Sequence, residues 1–449
     1  MTVTHSPSIV VVGGGLAGSE AAWQLARRGY GVRLVEKRPG VPSPAHCSEA
    51  LGELVCSNSL GANELSSPGG ILKAELRRLG SLILACADAT AVPAGRALAV
   101  DRELFSQRIT VALSTHPRVE ICREECEALP PEPCIVATGP LTEGRLAEDL
   151  KRRTGGFLSF YDAISPVVTA ESLDRDVVFR ASRWGKGDDY LNCPLDAAAY
   201  QRFVEALRGA ERAPLHSVDQ KAEYFEGCLP VEVIASRGED TLRFGPMRPV
   251  GLPDPRTGRE PHAVVQLRQE NREGTMYNLV GFQTNLRWGE QERVFRRIPG
   301  LERAEFVRWG VMHRNSFVRA PEVLDPLLRL RGAGNCFLAG QLCGVEGYVE
   351  STAMGLVAAI HLATLLSGTL PHPWPRETAL GGLLAYLQES PPDHFQPINC
   401  NLGLFPPLER RIKSRGERCL AMADRSQDAL ERFLSENPLA EEGEGLPGA

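Results

Sequence analysis

Glycines near the N-terminus have the spacing needed to hold a dinucleotide. After four apolar residues, Gly13, Gly15 and Gly18 form a Gly-x-Gly-x-x-Gly motif. Gly13 permits a tight turn, Gly15 lets the backbone approach a pyrophosphate, and Gly18 allows close contact between a helix and a strand. Glu36 follows about 20 residues later, where a carboxylate accepts hydrogen bonds from ribose hydroxyls. The motif therefore predicts a dinucleotide site at this turn.

Two further motifs favour FAD over NAD as that dinucleotide. An Ala-Thr-Gly at 137–139 and a Leu-Ala-Gly at 338–340 look like flavoprotein motifs, and a second glycine-rich segment follows at 344–350. The helix expected after that segment would direct its N-terminal N–H groups and positive dipole at a flavin ring. Because a second Gly-x-Gly-x-x-Gly is missing from the sequence, NADPH or NADH is expected only as a visiting reductant. The predicted cofactor-binding residues are Gly13, Gly14, Gly15, Leu16, Ala17, Gly18, Glu36, Lys37, Ala137, Thr138, Gly139, Gly340, Glu346, Gly347 and Tyr348.

Two of the twelve cysteines have contexts that suggest reactivity. Cys56 lies in a Cys-Ser-Asn-Ser-Leu segment, and Cys228 lies between Gly227 and Leu229-Pro230, as in an exposed loop. Taken alone, a cysteine is more often a small buried hydrophobic residue. The sequence contains no Cys-x-x-Cys pair, so we expect neither a zinc ribbon nor a bound metal.

The elements around these residues indicate an α/β fold. An apolar strand at 9–12, a helix at 16–28 and a strand at 32–36 form a βαβ unit of the expected size. A capped helix is expected from Ser67 to Gly80, and another buried strand at 135–139. We predict a Rossmann-like FAD-binding domain with a parallel sheet (1–160 and 306–436), an inserted α+β domain (161–305), and a disordered acidic tail (437–449).

The net charge of the chain does not favour binding to nucleic acid. The net charge is −6, so an RNA partner would need a local basic patch. Two basic runs are the best candidates for tRNA binding, although each is equally well interpreted as a solvated helix face. They consist of Lys151, Arg152, Arg153, Arg410, Arg411, Lys413 and Arg415.

A segment without Asp, Glu, Lys or Arg, residues 351–370, has the length of a membrane span. It contains His361 and several Ser and Thr residues, and it directly follows the second glycine motif, so a buried helix is the better interpretation. Without a recognisable signal peptide, the scattered cysteines predict free thiols in the cytoplasm.

Motifs in both predicted domains resemble one family. The chain resembles the bacterial FAD- and folate-dependent tRNA (uracil-5-)-methyltransferases over nearly its whole length up to the tail. The matching stretches are residues 13–22, 56–60, 77–82, 190–194, 225–232, 244–252, 265–269, 277–284, 311–315 and 344–351.

The resemblance implies a reaction and a set of partners. The family transfers the methylene group of 5,10-methylenetetrahydrofolate to C5 of a T-loop uridine, position 54 of tRNA, and FAD reduced by NADPH or NADH carries the carbon and the electrons. Uracil C5 becomes nucleophilic when a thiolate adds to C6, and a base must then remove the C5 proton. By match to the family motifs, Cys228 is expected as the nucleophile and Cys56 as the base or a second essential thiol, although the roles could be exchanged. No obligate protein partner is expected.

The pterin of the folate needs flat partners. His313, Arg314 and Trp288 are the candidates from the middle domain, and Tyr348 is expected close to the flavin ring.

Three alternatives remain open from the sequence. The related flavoprotein that modifies wobble uridines shares the glycine motifs, but it usually has a histidine where this chain has Leu16, and it is longer. A simple NAD(P)H:flavin oxidoreductase would leave the contexts of Cys56 and Cys228 unexplained. A flavin-stabilised RNA-binding factor without catalysis is the third.

Overall fold

The computed structural model describes residues 8–43, 45–131, 133–214, 229–334 and 336–439. Cys228 and residues 440–449 of the expected tail lie outside the described residues. The strands are β1 (Ile9–Val12), β2 (Val32–Val35), β3 (Ser59–Ala62), β4 (Ala91–Val92), β5 (Ala97–Val100), β6 (Val119–Cys122), β7 (Cys134–Val136), β8 (Leu158–Ala163), β9 (Val167–Thr169), β10 (Phe179–Arg180), β11 (Tyr190–Leu195), β12 (Ala263–Gln269), β13 (Met276–Leu279), β14 (Phe306–Arg308), β15 (Met312–Phe317) and β16 (Cys336–Leu338).

In the described part of the chain, these strands form four sheets, of five, six, two and three strands, and the chain between them forms helices. The α-helices are α1 (Leu16–Arg27), α2 (Pro68–Arg78), α3 (Leu82–Ala89), α4 (Arg102–Ser114), α5 (Gly144–Thr154), α6 (Ala197–Arg208), α7 (Val231–Ser236), α8 (Thr241–Phe244), α9 (Trp288–Phe295), α10 (Ala320–Val323), α11 (Tyr348–Leu366), α12 (Ala379–Glu389) and α13 (Arg415–Glu436).

The first large sheet is parallel and has five strands in the order β16-β7-β1-β2-β6. In the register of this sheet, Val11 pairs with Leu34 on one side and with Ile135 on the other. All four residues of β1 are buried, which explains the continuous apolar run, because helices cover both faces of such sheets. The predicted Rossmann-like fold is confirmed.

Most of the apolar segment at 351–370 belongs to the core helix α11, which begins earlier than predicted, at Tyr348, and ends earlier, at Leu366. This helix is long and apolar enough to cross a membrane, but 78% of the relevant window is buried inside the protein. It packs against α1 so closely that a Cβ on Gly355 would lie 2.2 Å from the carbonyl oxygen of Ala17. Glycine at this position therefore permits the crossing of the two helices.

The second large sheet is antiparallel and has six strands in the order β10-β11-β12-β13-β9-β14. It forms part of a separate hydrophobic core. Phe203 of α6 and Phe295 of α9 pack with Phe282 in this core. The expected α+β part of the fold is confirmed. Strands β8 and β15, which flank this sheet in the chain, pair antiparallel with each other. The domain boundaries at 160 and 305 stay predictions, since β8 spans the first of them.

Candidate active site

An open cavity, whose empty volume of about 1190 Å³ includes solvent space at its mouth, lies at the carboxyl ends of β1, β2, β7 and β16. Open α/β sheets bind their ligands at this edge, outside the carboxyl ends of the strands. The structure brings these predicted cofactor residues together on the cavity wall: Gly13, Gly15, Leu16, Ala17, Glu36, Lys37, Ala137, Thr138, Gly139, Gly340 and Tyr348. The other predicted residues, Gly14, Gly18, Glu346 and Gly347, do not line the cavity.

The three motif glycines differ in what surrounds them. A Cβ on Gly15 would meet no atom within 4 Å, whereas a Cβ on Gly18 would lie 1.8 Å from the carbonyl oxygen of Gly13. Gly13 has a φ of +103°, and its Cβ would lie 2.6 Å from the carbonyl oxygen of Ala137. Gly13 and Gly18 thus serve the packing of the turn, and the backbone of Gly15 faces open space at the N-terminus of α1. An anion is favoured at such a position.

The carboxylate of Glu36 is held in place at the end of β2. It accepts a hydrogen bond of 2.8 Å from the N–H of Gly14 and forms an ion pair of 2.9 Å with Nε of Arg38. Burial raises the pKa of the Glu36 carboxyl, but the hydrogen bond and the charge of Arg38 outweigh that effect and lower the pKa overall. Glu36 is therefore an oriented anion on the wall of the cavity.

The segment that carries Cys56 is attached to the start of α11. The N–H of Cys56 donates a hydrogen bond of 2.6 Å to the hydroxyl of Tyr348, and Val55 and Tyr348 both line the cavity. Arg102 donates to the carbonyl oxygen of Cys56 over 3.1 Å, and Arg308 donates to that of Val55 over 2.5 Å. Two arginines and a tyrosine thus fix the backbone around the thiol at the edge of the cavity.

The surroundings of Cys56 favour the protonated form of its thiol. Burial raises the pKa of the Cys56 thiol far above its usual range, and the negative charge of Asp162 raises it further. The positive charges of Arg102 and Arg308 act in the opposite direction and are the weaker influence. The thiol donates a long hydrogen bond, with 3.9 Å between its sulfur and the carbonyl oxygen of Ala163.

Glu346 and Gly347 shape the turn before α11. Burial raises the pKa of the Glu346 carboxyl, and the charge of Asp162 adds to this effect. The side chain of Gln341 donates a hydrogen bond to Glu346. Gly347 has a φ of +112°, and a Cβ there would lie 2.3 Å from the carboxylate of Glu350. These residues support the N-terminus of α11.

The three residues expected at the pterin do not share one surface. Trp288 and Arg314 line a second cavity of about 920 Å³, together with Tyr161 and Asn285. His313 is missing from the lining of that cavity and pairs across the strands with Asp162. Successive residues of a strand point to opposite faces, so β15 separates His313 from Arg314. Burial lowers the pKa of His313, and its Nε2 is buried without a hydrogen-bond partner among the described residues.

The two basic runs differ in how they are neutralised. Lys151 forms an ion pair with Glu148, and Arg152 and Arg153 both form ion pairs with Asp149, all within α5. The second run consists of Arg410, Arg411, Lys413 and Arg415, just before and at the start of α13. All four side chains are exposed, and none forms an ion pair with another described residue.

Three residues around Cys56 have no local signal in the sequence that would mark them. Arg102, Asp162 and Arg308 come from α4, β8 and β14, and they meet the cysteine segment only in the folded chain. Arg102 is itself held by an ion pair of 2.9 Å with Glu270 of the antiparallel sheet region. The electrostatic surroundings of the thiol are therefore a product of tertiary contacts among elements that are distant in sequence.

Comparison with solved structures supports the class of the fold. The structure of Aquifex aeolicus GidA in its form I crystal superposes with a TM-score of 0.69 at 19% identity, over 96% of this chain and 75% of that chain. The form II crystal gives a TM-score of 0.65 at 17% identity, over 97% and 77%. At such low identity the likeness extends to the fold alone.

Comparison with known sequences defines the family. The family model described as "Glucose inhibited division protein A" matches residues 8–369. The methylenetetrahydrofolate--tRNA-(uracil-5-)-methyltransferase TrmFO of Desulforudis audaxviator is 57% identical over 435 residues, covering 96% of this chain and 99% of that protein. The enzyme of the same name from Geobacter sulfurreducens is 58% identical over 431 residues, covering 95% and 99%. The chain belongs to the glucose inhibited division protein A family and, within it, to the methylenetetrahydrofolate--tRNA-(uracil-5-)-methyltransferases. The resemblance of the sequence motifs is confirmed.

Proposed function

We propose that the protein forms 5-methyluridine at position 54, in the T-loop of tRNA, with 5,10-methylenetetrahydrofolate as the one-carbon donor and FAD as a bound cofactor. The observation that carries this proposal is the attachment of Cys56 to Tyr348 at the wall of the large cavity. A thiol beside a dinucleotide site is what a one-carbon transfer to uracil C5 requires, because the reaction needs both a redox group and a base.

FAD fits the large cavity because of the residues in its wall. The backbone of Gly15 is open to a pyrophosphate, and the oriented carboxylate of Glu36 can accept hydrogen bonds from ribose hydroxyls. The N-terminus of α11, at Tyr348, faces the same cavity and offers the positive end of its dipole to the ring. Bound FAD, once reduced by NADPH or NADH, supplies the electrons and carries the one-carbon unit.

The two cysteines carry the chemistry on the uracil. Cys228 adds through its thiolate to C6, which makes C5 nucleophilic, and it leaves at the end of the reaction. Cys56, which is partly exposed, first loses its own proton to solvent and then takes the C5 proton as a thiolate. Because burial and Asp162 oppose that charge, Arg102 and Arg308 are the residues that stabilise it.

The folate is proposed to lie against Trp288, Arg314 and His313. The indole of Trp288 is exposed and can stack on a pterin, while Arg314 lines the same cavity. His313 faces the other side of β15, where its unpartnered Nε2 can bond a polar atom of the donor. Since β15 separates His313 from the cavity that Trp288 and Arg314 line, the two surfaces would have to contact different parts of the donor.

The tRNA is proposed to bind through exposed cations, since phosphates dominate such affinity. The run at Arg410, Arg411, Lys413 and Arg415 is better suited than the run at Lys151, Arg152 and Arg153, whose charges are partly neutralised. The T-loop base must leave the folded tRNA, at about a few kcal/mol of unstacking. We place the reaction in the cytoplasm, with tRNA, folate and nicotinamide as its partners.

Release of tritium from tRNA labelled at uridine C5, with methylenetetrahydrofolate and NADPH supplied, tests the proposal. We expect release by the wild type, none by Cys228→Ala and very little by Cys56→Ala, with the flavin still bound in both. Cys193→Ala is the matched control, because Cys193 is buried in the antiparallel core. Oxidation of NADPH by the wild type without any tritium release would refute the methyltransferase function.

A further inference from the structure

Trp184 is an exposed aromatic residue held in a strained backbone conformation. Its φ is +63°, in the left-handed region, although 65% of the residue is exposed. A bulky residue in this region is an outlier that persists only where the surrounding structure enforces it. The N–H of Trp184 donates a hydrogen bond of 2.8 Å to the carbonyl oxygen of Gly251. The fold therefore fixes this ring at the surface instead of burying it.

The neighbouring residues keep the ring in place. A Cβ on Gly251 would lie 2.9 Å from a ring carbon of Trp184, so the indole rests against this glycine with its other face open. Arg183 donates hydrogen bonds of 2.7 Å to the carbonyl oxygens of Val250 and Arg248. The N–H of Ser182 donates to the carbonyl oxygen of Gly187 and closes the loop. Residues 182–187 and 248–251 thus form one rigid unit.

A second exposed aromatic ring lies beside this unit. Phe244, at the end of α8, is 82% exposed. The N–H of Arg248 donates to the carbonyl oxygen of Gly245, and its own carbonyl oxygen accepts from Arg183, so the backbone of Arg248 connects the residues that follow Phe244 and precede Trp184 in the chain. The side chains of Arg248 and Lys186 are exposed and form no ion pair among the described residues. We call Trp184, Lys186, Phe244 and Arg248 the aromatic-basic edge.

Packing and hydrogen bonds connect the aromatic-basic edge to Val231 at the start of α7. Gly281 packs on the ring of Pro246, where its Cβ would lie 2.7 Å from the proline Cβ. Two residues further on, Gln283 accepts a hydrogen bond of 2.7 Å from the N–H of Val231. Val231 is the third residue after Cys228 in the sequence. Two contacts thus connect the edge to Val231, which is close in sequence to the proposed nucleophile.

Exposed rings interspersed with unpaired cations match the chemistry of unstacked RNA, since each base has a face to stack and each phosphate a charge to pair. We propose that the aromatic-basic edge binds the tRNA loop from which the target uridine is extruded, with Trp184 and Phe244 stacking on its bases and Lys186 and Arg248 pairing with its phosphates. This inference rests on the proposed function, because it assigns a contact surface to the same substrate.

Binding of an unmodified tRNA transcript to the FAD-loaded full chain tests the inference. Trp184→Gly removes the ring and also relieves the positive φ, because glycine adopts this conformation freely. We expect Trp184→Gly and Phe244→Ala each to weaken binding about ten-fold, as truncation of a base-stacking ring does. Trp184→Phe should retain most of the affinity. Arg248→Gln should reduce the steepness of the slope of log K against log salt by about 1, which corresponds to the loss of one phosphate contact.

The controls separate this surface from the fold and from the proposed function. Leu370→Ala removes another exposed apolar side chain, outside the edge, and should bind tRNA like the wild type. Flavin content and melting temperature should be unchanged in all variants. Wild-type affinity in both Trp184→Gly and Phe244→Ala, while the wild type methylates tRNA, would overturn the inference alone.

Two further outcomes are also decisive. A wild type that neither binds nor methylates tRNA would refute the proposed function itself. A change in the size of the particle on light scattering for Trp184→Gly, with unchanged tRNA affinity, would identify the edge as an interface between copies of the chain and would also overturn the inference.

Discussion

The N–H of Cys56 donates a hydrogen bond to the hydroxyl of Tyr348, 292 residues away in sequence, over 2.6 Å. This bond joins the two glycine-rich parts of the fold, because Cys56 follows the β1-α1-β2 unit and Tyr348 begins α11. Tyr348 also lines the large cavity. A single phenol thus orients the cysteine segment with respect to the proposed flavin.

Tyr348→Phe should uncouple the cysteine segment from the flavin site. The variant leaves the Cys56 N–H without its acceptor, which costs about 1–3 kcal/mol for a buried donor. We expect tritium release to fall roughly ten-fold, since about 1.4 kcal/mol corresponds to one decade, while FAD stays bound. Tyr386→Phe is the matched control, as its hydroxyl donates to Gln396 at an exposed site. Equal activity of the Tyr348 variant and the wild type would show that the bond does not position the thiol.

The motif glycines should separate cofactor binding from folding. Gly15→Ala adds a methyl group in open space, so the apoprotein should keep its stability, but the methyl group occupies the position proposed for the pyrophosphate. We expect flavin absorbance to disappear from the purified protein. Gly18→Ala meets the carbonyl oxygen of Gly13 and should lower the free energy of unfolding by about 2 kcal/mol or more. Retention of FAD by Gly15→Ala would argue against the proposed position of the pyrophosphate.

The sequence predicts the parts of the site that depend on local spacing. Gly13, Gly18 and Glu36 fall within one βαβ unit, where the chemistry of a turn, a helix start and a strand end can be read from adjacent residues. The surroundings of Cys56 are not predictable in this way, because Arg102 and Arg308 reach it from α4 and β14 through tertiary contacts.

The pterin candidates show a different limit of sequence reasoning. His313 and Arg314 are adjacent in sequence and both have flat side chains that suit a pterin, yet adjacent residues of a strand face opposite sides. Recognition of β15 as a strand would have separated them. Likewise, the exposure of Trp184 and Phe244 could not be foreseen, because large aromatic residues are usually buried and only the fold shows which remain at the surface.

The buried ring of His361 should make the stability depend on pH. Its Nδ1 bonds the carbonyl oxygen of Leu327, and its Nε2 accepts from Nε1 of Trp374 over 3.1 Å, so the ring is neutral. Burial lowers the pKa of His361 to about 4 from 6.5. Between pH 6.5 and about pH 4, the unfolded chain therefore binds a proton on His361 that the folded chain does not bind. The free energy of unfolding falls as the pH drops through this range.

Urea unfolding at several pH values measures this effect. The contribution of His361 approaches about 3 kcal/mol for a shift of this size. His361→Gln should be less stable at pH 7 and should lose less stability than the wild type between pH 6.5 and 4. His372→Gln, at an exposed site, should keep the wild-type dependence. Parallel curves for the wild type and His361→Gln would exclude the assigned protonation state.

The two basic runs should contribute unequally to tRNA binding. Replacement of Arg410, Arg411 and Lys413 by Gln removes exposed cations without ion pairs among the described residues, so the salt slope should fall by about 0.7–0.9 for each phosphate that is no longer neutralised. Replacement of Lys151, Arg152 and Arg153 by Gln removes cations that already neutralise Glu148 and Asp149. We therefore expect a smaller change in slope from the second set, measured by filter binding of the same transcript between 50 and 200 mM salt, about the range over which such affinities fall steeply. A larger change from the α5 set would reverse the assignment, because it would mean that its ion pairs open when the RNA binds.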